Sequence, residues 1–443
     1  PAGAPKRWYL RALQEQFDAR LHPSGWDRAD FEEDENWLEA MEMPGGADKP
    51  AIGTLYPDYL YDSGGYPQAY QLRKRSIPLM KEWIVSAKRL VESHALVWKR
   101  PAREYFDLDV PGAYEGGRSD IARKEGESWN VELDGRDGAV LTFEFPEHLV
   151  GWPRVEVEAA AGTVLEVMIQ EGHRPYGSSA EAPALMNNHF HAWTRFICRE
   201  GLNTFESFDF ESFRWLQLHV QGPKGTVKIA LPQARRRAYA APHSTRIACS
   251  DPTLQRLFEA ADNTLVNAAQ ECLVDGMGRE RQQYSGDVGH QLHSVHTAWG
   301  DEALPRRYVE TFSQGMTMDG FFLDTWPAYD RLNRLAQRQL QLTPWGPLLD
   351  HGVGFVFDVY HHFQYSADID IVQQVFPSLA RFADYLHGLA DESGLLPVEN
   401  LGVPTVWMDT DAYRSQRHKQ CAFTLYASAM LGHALAPLAK AVG

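Results

Sequence analysis

Basic residues are scarce in this 443-residue chain: 43 Lys and Arg stand against 59 Asp and Glu, a formal net charge of −16. That deficit argues against nucleic acid and against an anionic membrane surface, since both select basic faces. The short run Arg235-Arg236-Arg237 does not reverse it. Cysteine is scarce too. Cys198, Cys249, Cys272 and Cys421 are widely scattered, with no CxxC or CxxH pair. Neither a zinc site nor a disulfide framework is implied, and the four read as free, mostly buried thiols. There is no Gly-rich phosphate loop and no G-x-S-x-G elbow, so nothing points to a cofactor. No run reads as apolar for long enough to span a bilayer. The chain begins at Pro1 rather than Met. The expectation is that the true N-terminus was removed or lies upstream, with room for a lost signal peptide, so cytoplasm, periplasm and secretion all stay open.

What is present is a globular composition, 44% hydrophobic and 12% aromatic. The length suits two or three domains of roughly 100–200 residues. The 13 Trp, 18 Tyr and 21 Phe are mostly core, but an acidic, Trp-rich chain also suits a neutral glycan, whose sugar faces stack on aromatic rings. Residues 1–96 are mixed and suggest the remnant of a sugar-binding β-domain. Trp8 to Ala19 fits a short helix, and Leu79 to Val97 fits helix or strand. From 97 to 240 apolar residues alternate with polar ones (Val131/Leu133, Leu141/Phe143/Phe145, Leu165/Val167/Ile169, Leu216/Leu218/Val220) around turn sequences such as Asp134-Gly135-Arg136-Asp137-Gly138. Period-2 strands at this spacing predict an antiparallel β-sandwich.

At 241 the period changes. Asp251-Pro252 opens a helix whose face is Leu254, Leu257, Phe258, Ala261, Leu265, Ala268 and Cys272. Helices follow over Val288–Trp299, Tyr308–Met316, Val353–Phe363, Ile371–Leu389 and Phe423–Leu438. Successive hairpins of this kind predict an all-α (α/α) barrel over 241–443. The helices are too few to close six hairpins, so the barrel is expected to be incomplete at its C-terminus.

The densest chemistry lies in Asp275-Gly276-Met277-Gly278-Arg279-Glu280-Arg281-Gln282-Gln283-Tyr284-Ser285-Gly286-Asp287, between two predicted helices. Glycoside hydrolysis needs one protonated carboxyl for the leaving oxygen and one carboxylate to activate water or attack carbon. Like charges nearby raise a Glu toward an acid's working range, and arginines oppose that shift. Glu280 is the candidate acid, with Asp275 and Asp287 as acceptors for sugar hydroxyls. A structural reading, Glu280 paired with an arginine and the aspartates capping helices, fits the spacing equally well.

The segment resembles the signature of the bacterial α-L-rhamnosidases, glycoside hydrolase family 78. Asp275, Arg279, Glu280, Arg281, Tyr284, Gly286 and Asp287 fall at matching positions. Weaker likenesses are Trp37-Leu38-Glu39-Ala40, Arg75-Ser76-Ile77-Pro78, Gly151-Trp152-Pro153-Arg154, Phe213-Arg214-Trp215 and Ser250-Asp251-Pro252. The resemblance covers most of 37–443. It implies a β-sandwich ahead of an (α/α) six-hairpin barrel, inversion at the anomeric carbon, Glu280 as general acid, and Asp275 and Asp287 on the −1 sugar. The sequence departs from the signature at Gly276-Met277, where Cys-Pro is usual, and at Gln283, where Gly is usual. The family's general base, a Glu near the barrel's end, has no match here; Asp409 or Asp411 is the alternative.

Other barrel loops pair carboxylates with indoles: Asp324 with Trp326, Trp345 with Asp350, and Trp407 with Asp409. Each pairing offers stacking with hydrogen bonding, or plain packing. His290, His293 and His296, spaced by three on a helix, read as packing rather than as metal ligands. The site expected from sequence is therefore Glu280 with Asp275, Arg279, Tyr284, Asp287, Asp324, Trp326, Trp345, Asp350, Trp407 and Asp409. The expected partner is a carbohydrate, with terminal α-L-rhamnose or a related sugar as the substrate. Rival readings are a non-catalytic glycan-binding protein and a polysaccharide lyase on a similar helical toroid.

Overall fold

The computed structural model describes residues 15–23, 25–40, 74–98, 114–118, 120–173, 193–242, 245–278, 281–317, 319–327, 348–398, 406–408 and 417–443. The chain forms two compact units. One gathers Met80–Ala238 with Pro1–Leu38 and the short Gly276–Arg281; the other gathers Tyr239–Asp275 and Gln282–Gly443 with Glu39–Leu79.

Among the described residues the first unit is one continuous 13-stranded sheet. Its strands are β1 (Glu15–Asp18), β2 (Lys81–Ser86), β3 (Arg89–Trp98), β4 (Tyr114–Arg118), β5 (Arg123–Glu125), β6 (Ser128–Glu132) and β7 (Gly138–Ala159). They continue with β8 (Val164–Gln170), β9 (Trp193–Ile197), β10 (Gly201–Glu206), β11 (Glu211–Gln221), β12 (Thr226–Ala230) and β13 (Gln233–Ala238). The expected antiparallel pairing holds except at one edge, where β1 runs parallel to β9. The strands are not split into two separately hydrogen-bonded sheets, because the 22-residue β7 pairs with β3 and β11 along its first half and with β10, β12 and β13 along its second. The sheet also starts ahead of residue 97. Leu79–Val97 resolves as β2 and β3, and the end of the stretch expected as a short helix is β1.

Alternation explains the burial. In β12 and β13 every second residue is covered: Val227 and Ile229, then Ala234, Arg236 and Ala238. The core joins Val227, Ile229 and Ala234 to Phe143, Phe145, Phe213, Leu216 and Leu218, each large apolar side chain contributing about 1.5–3 kcal/mol when fully covered. Phe145 meets Phe213 edge-on at 5.1 Å, and Phe196 stacks on Phe205 at 4.5 Å.

The second unit is helical. Its helices are α1 (Pro252–Ala268), α2 (Ser285–Ser294), α3 (Ala303–Phe312), α4 (Leu349–Ser366), α5 (Ile369–Leu389), α6 (Gln420–Met430) and α7 (Ala436–Val442). Asp251 caps α1, accepting the Thr253 N–H at 2.8 Å, with Pro252 at the first helical position. The expected apolar face of α1 is only half used: Leu265 and Ala268 are buried, whereas Leu254 and Leu257 are exposed. A π-helical turn, Val295–Trp299, extends α2, and another, Leu431–Leu435, joins α6 to α7. The resulting Gln420–Val442 helix has 23 residues and is long and apolar enough to cross a membrane. That corrects the reading that no segment is. The apolar residues Phe423, Ala427, Met430, Ala434 and Leu438 are buried along one face, whereas Leu425 and Leu431 are exposed. Helix α4 is the spine, and its Phe355 packs on Phe312 at 4.7 Å and Phe322 at 5.0 Å. The thiols are free, but only Cys198 is buried; Cys249 and Cys421 are exposed and Cys272 lies between.

Candidate active site

The loop richest in charge is closed at its neck within the helical unit. Asp275 N–H donates to the Gln282 carbonyl and Asp275 Oδ1 accepts from the Gln282 N–H, each at 3.0 Å. The neighbouring Val274 carbonyl takes the Gln291 side-chain amide of α2 at 2.6 Å. Asp275 therefore spends one carboxylate oxygen on the loop itself. The tip, Gly276–Arg281, belongs by its packing to the sheet unit. There the Arg281 guanidinium is 8% exposed. It reaches Glu211 at 2.6 Å and Asp209 at 3.1 Å, and it donates to the Met277 carbonyl at 2.7 Å. These bonds hold Arg281 at φ +56°, a conformation that L-residues adopt at a cost of about 1–3 kcal/mol. Arg279 and Glu280 lie outside the described residues.

After the loop, Tyr284 bridges to Thr325 in β fashion and lies edge-on to His351 at 6.0 Å, 6% exposed. Ser285 Oγ donates to the His351 carbonyl at 2.7 Å. A side chain at Gly286 would meet the His351 ring at 3.0 Å, which explains a glycine ahead of Asp287. Asp287 then occupies the first turn of α2, where unpaired N–H groups favour an anion.

Asp287 opens on a cleft of about 630 Å³ built wholly within the helical unit. Helix α4 supplies Asp350, His351, Phe357, Asp358 and His361, α2 supplies His290 and His293, and Trp407 and Tyr426 complete the wall. Asp350 is held in place by what it accepts: the N–H groups of Trp407 at 2.9 and 3.0 Å, and of Met408 at 3.0 Å. Those bonds stabilise Met408 at φ +24°. Buried Lys419 donates to the Trp407 carbonyl at 2.8 Å from the other side. The indole is thus presented on a backbone clamped at both ends.

Three sequence-predicted residues therefore converge: Asp287, Asp350 and Trp407. Tyr284, Asp324 and Trp326 do not line this cleft. Asp324 is 3% exposed, and the Trp326 backbone is tied to Gln283, whose side-chain amide donates to the Trp326 carbonyl at 2.8 Å. Trp345, Asp409 and Asp411 fall outside the described residues. His290 and His293 line the cleft, and His296 bonds His362 at 3.3 Å.

Sequence reasoning missed Asp358, Phe357, His361 and Tyr426. A usable signal existed: 350, 354, 357, 358 and 361 recur at helical spacing, setting polar groups on one side of an otherwise apolar helix. Asp358 is 5% exposed and accepts the Tyr308 hydroxyl at 2.6 Å. Burial pushes its carboxyl up to about 7, against a smaller lowering by the Tyr308 hydrogen bond. Burial, then the charge of Asp358, keeps the Tyr308 phenol protonated well beyond its usual range. Burial likewise pushes Tyr426 up to about 12, helped by Asp358 and Asp350. Burial lowers His361, with His293 adding to the effect.

Residues 242–442 match the bacterial alpha-L-rhamnosidase 6 hairpin glycosidase domain. The match falls on the helical unit, which is similar to that domain. The chain also resembles solved structures. A rhamnosidase from Klebsiella oxytoca, with rhamnose bound, superposes with TM-score 0.59 at 18% identity, covering 82% of this chain and 67% of that one. An alpha-L-rhamnosidase from Dictyoglumus thermophilum gives 0.61 at 14% identity, covering 97% and 40%. One from Streptomyces avermitilis, complexed with L-rhamnose, gives 0.57 at 17%, covering 96% and 34%. At these identities the likeness is one of fold. The chain spans from about a third to two thirds of the length of these relatives. No curated protein matches the sequence.

Proposed function

We propose that this chain is a glycoside hydrolase of the rhamnosidase type, releasing terminal α-L-rhamnose or a closely related sugar with inversion. One observation carries the reading: Asp287, Asp350 and Trp407, chosen from sequence, meet in one cleft inside the rhamnosidase-type domain. Carboxylates that accept from sugar hydroxyls beside an indole that stacks on the ring form a −1 subsite. Glu280 is the proposed proton donor to the leaving oxygen, and Asp275, Arg279 and Tyr284 are proposed to support it. Inversion requires a second carboxylate about 6.5–9.5 Å from the acid, with water between. Asp409 stays the candidate for that base, and Trp326 and Trp345 are proposed as outer contacts.

The test is hydrolysis of a panel of aryl glycosides with proton NMR of the first product. α-L-Rhamnosides should be the preferred substrates, and the β-anomer should appear first. Glu280→Gln should lower kcat by about a thousandfold while leaving L-rhamnose binding intact. Initial release of the α-anomer would overturn inversion, and full activity in Glu280→Gln would remove Glu280 from its role.

A further inference from the structure

Asp358 is the one buried cleft carboxyl whose surroundings argue against a charge. Tyr308 is its single hydrogen-bond partner among the described residues, and that bond goes to Oδ2. No lysine or arginine lines the cleft among the described residues. Tyr308 reaches it from α3, and the cleft it lines is shared with Tyr426 from α6, Asp287, His290 and His293 from α2, and Asp350 and His361 on its own helix. A buried carboxylate without a cation is strongly disfavoured. The remaining oxygen, Oδ1, faces Gly289 so closely that a Cβ there would lie 2.5 Å from it. Because the Tyr308 hydroxyl stays protonated and donates to Oδ2, an acid proton on Asp358 resides on Oδ1. Asp350 differs, being engaged as an acceptor of backbone N–H groups.

We propose that Asp358 binds substrate as a neutral carboxylic acid, donating a hydrogen bond from Oδ1 to a hydroxyl oxygen of the sugar held in this cleft. The assignment rests on the carbohydrate reading above and adds to it a donor among acceptors. Sugar hydroxyls accept as well as donate, and beside the acceptors Asp287 and Asp350 this proton can meet a lone pair that they cannot. Burial that holds the carboxyl near 7 is consistent with this role. The sign follows: the donor is present below that value and is lost as pH rises through it.

The experiment is calorimetric titration of the chain with L-rhamnose at about pH 5.5 and about pH 8.5, values on either side of the Asp358 transition. Wild-type affinity should fall about tenfold between them. Asp358→Asn keeps an acceptor for Tyr308 and an N–H donor for the cleft. It should bind within about threefold of the low-pH wild type at both pH values. Asp358→Leu should bind about tenfold more weakly at both. PH dependence that survives in Asp358→Asn would assign it to the cleft histidines and overturn the proposal. So would Asp358→Leu binding as tightly as wild type.

Infrared difference spectra, wild type minus Asp358→Asn, provide a readout that needs no turnover. A protonated-carboxyl band at the lower pH that shifts when sugar is added supports the assignment, and absence of the band overturns it. If wild type binds other monosaccharides but not L-rhamnose, the substrate named above is wrong. The same titration with the sugar that binds then decides Asp358.

Discussion

Asp350 shows how much one side chain organises. It accepts three N–H contacts from Trp407 and Met408 and fixes the indole at the cleft wall. Asp350→Ala should cost about 2–4 kcal/mol of stability in urea titrations, since it removes charge-assisted bonds and strands their donors. It should also weaken sugar binding. Gly289 is a second such position. Gly289→Ala puts a methyl group against Asp358 Oδ1 and should destabilise by about 1–3 kcal/mol, the range for overpacking, with the infrared carboxyl band displaced. Legibility differed sharply among these residues. Asp287, Asp350 and Trp407 were readable because carboxylates beside indoles or in a motif are conspicuous. Asp358 was not, because its meaning comes from Tyr308, fifty positions away in the chain, and from burial that no local pattern reports.

Among the elements, α3 reaches the site through a single phenol. Tyr308→Phe removes the 2.6 Å bond to Asp358 and should cost about 1–2 kcal/mol. The Tyr308 bond lowers the Asp358 pKa, so its loss should move the carboxyl's titration to higher pH, read as a later disappearance of the infrared band. The α1 cap is more routine: Asp251→Ala should cost about 1 kcal/mol. Helix α4 was expected over Val353–Phe363 and runs Leu349–Ser366, so its start carries Asp350 into the cleft rather than leaving it on a loop. Sequence signals for α1 and for the strands of the sheet worked because caps and period-2 alternation are local. The parallel pairing of β1 with β9 was invisible, since nothing in Glu15–Asp18 names a partner near residue 195.

For the whole molecule, two sets of buried groups set opposing pH slopes. Burial, then the charges of His362 and His293, pushes His296 down to about 4, and burial pushes His362 to about 4. These imidazoles stay neutral in the fold but charge in the unfolded chain below about 6.5, so their contribution is lost as pH falls toward 4. Asp358 works the other way. Its folded value lies above its unfolded one, so its contribution is complete below 3.8 and lost as pH rises through about 7. Asp358→Asn should therefore gain about 2–4 kcal/mol over wild type at about pH 8 and nothing at about pH 4. Chemical denaturation at the two pH values checks this.

Strand β7 has a consequence for synthesis. When the ribosome has released Ala159, only β3 among its partners exists; β10, β11, β12 and β13 are still to be made. A long, mostly apolar ribbon must wait with most of its edges open until Ala238 emerges, the state in which nascent strands pair with the wrong chain. Chains truncated between β9 and β13 should accumulate as aggregates rather than as a smaller folded sheet. The chaperone demand of this protein during translation should peak in that interval.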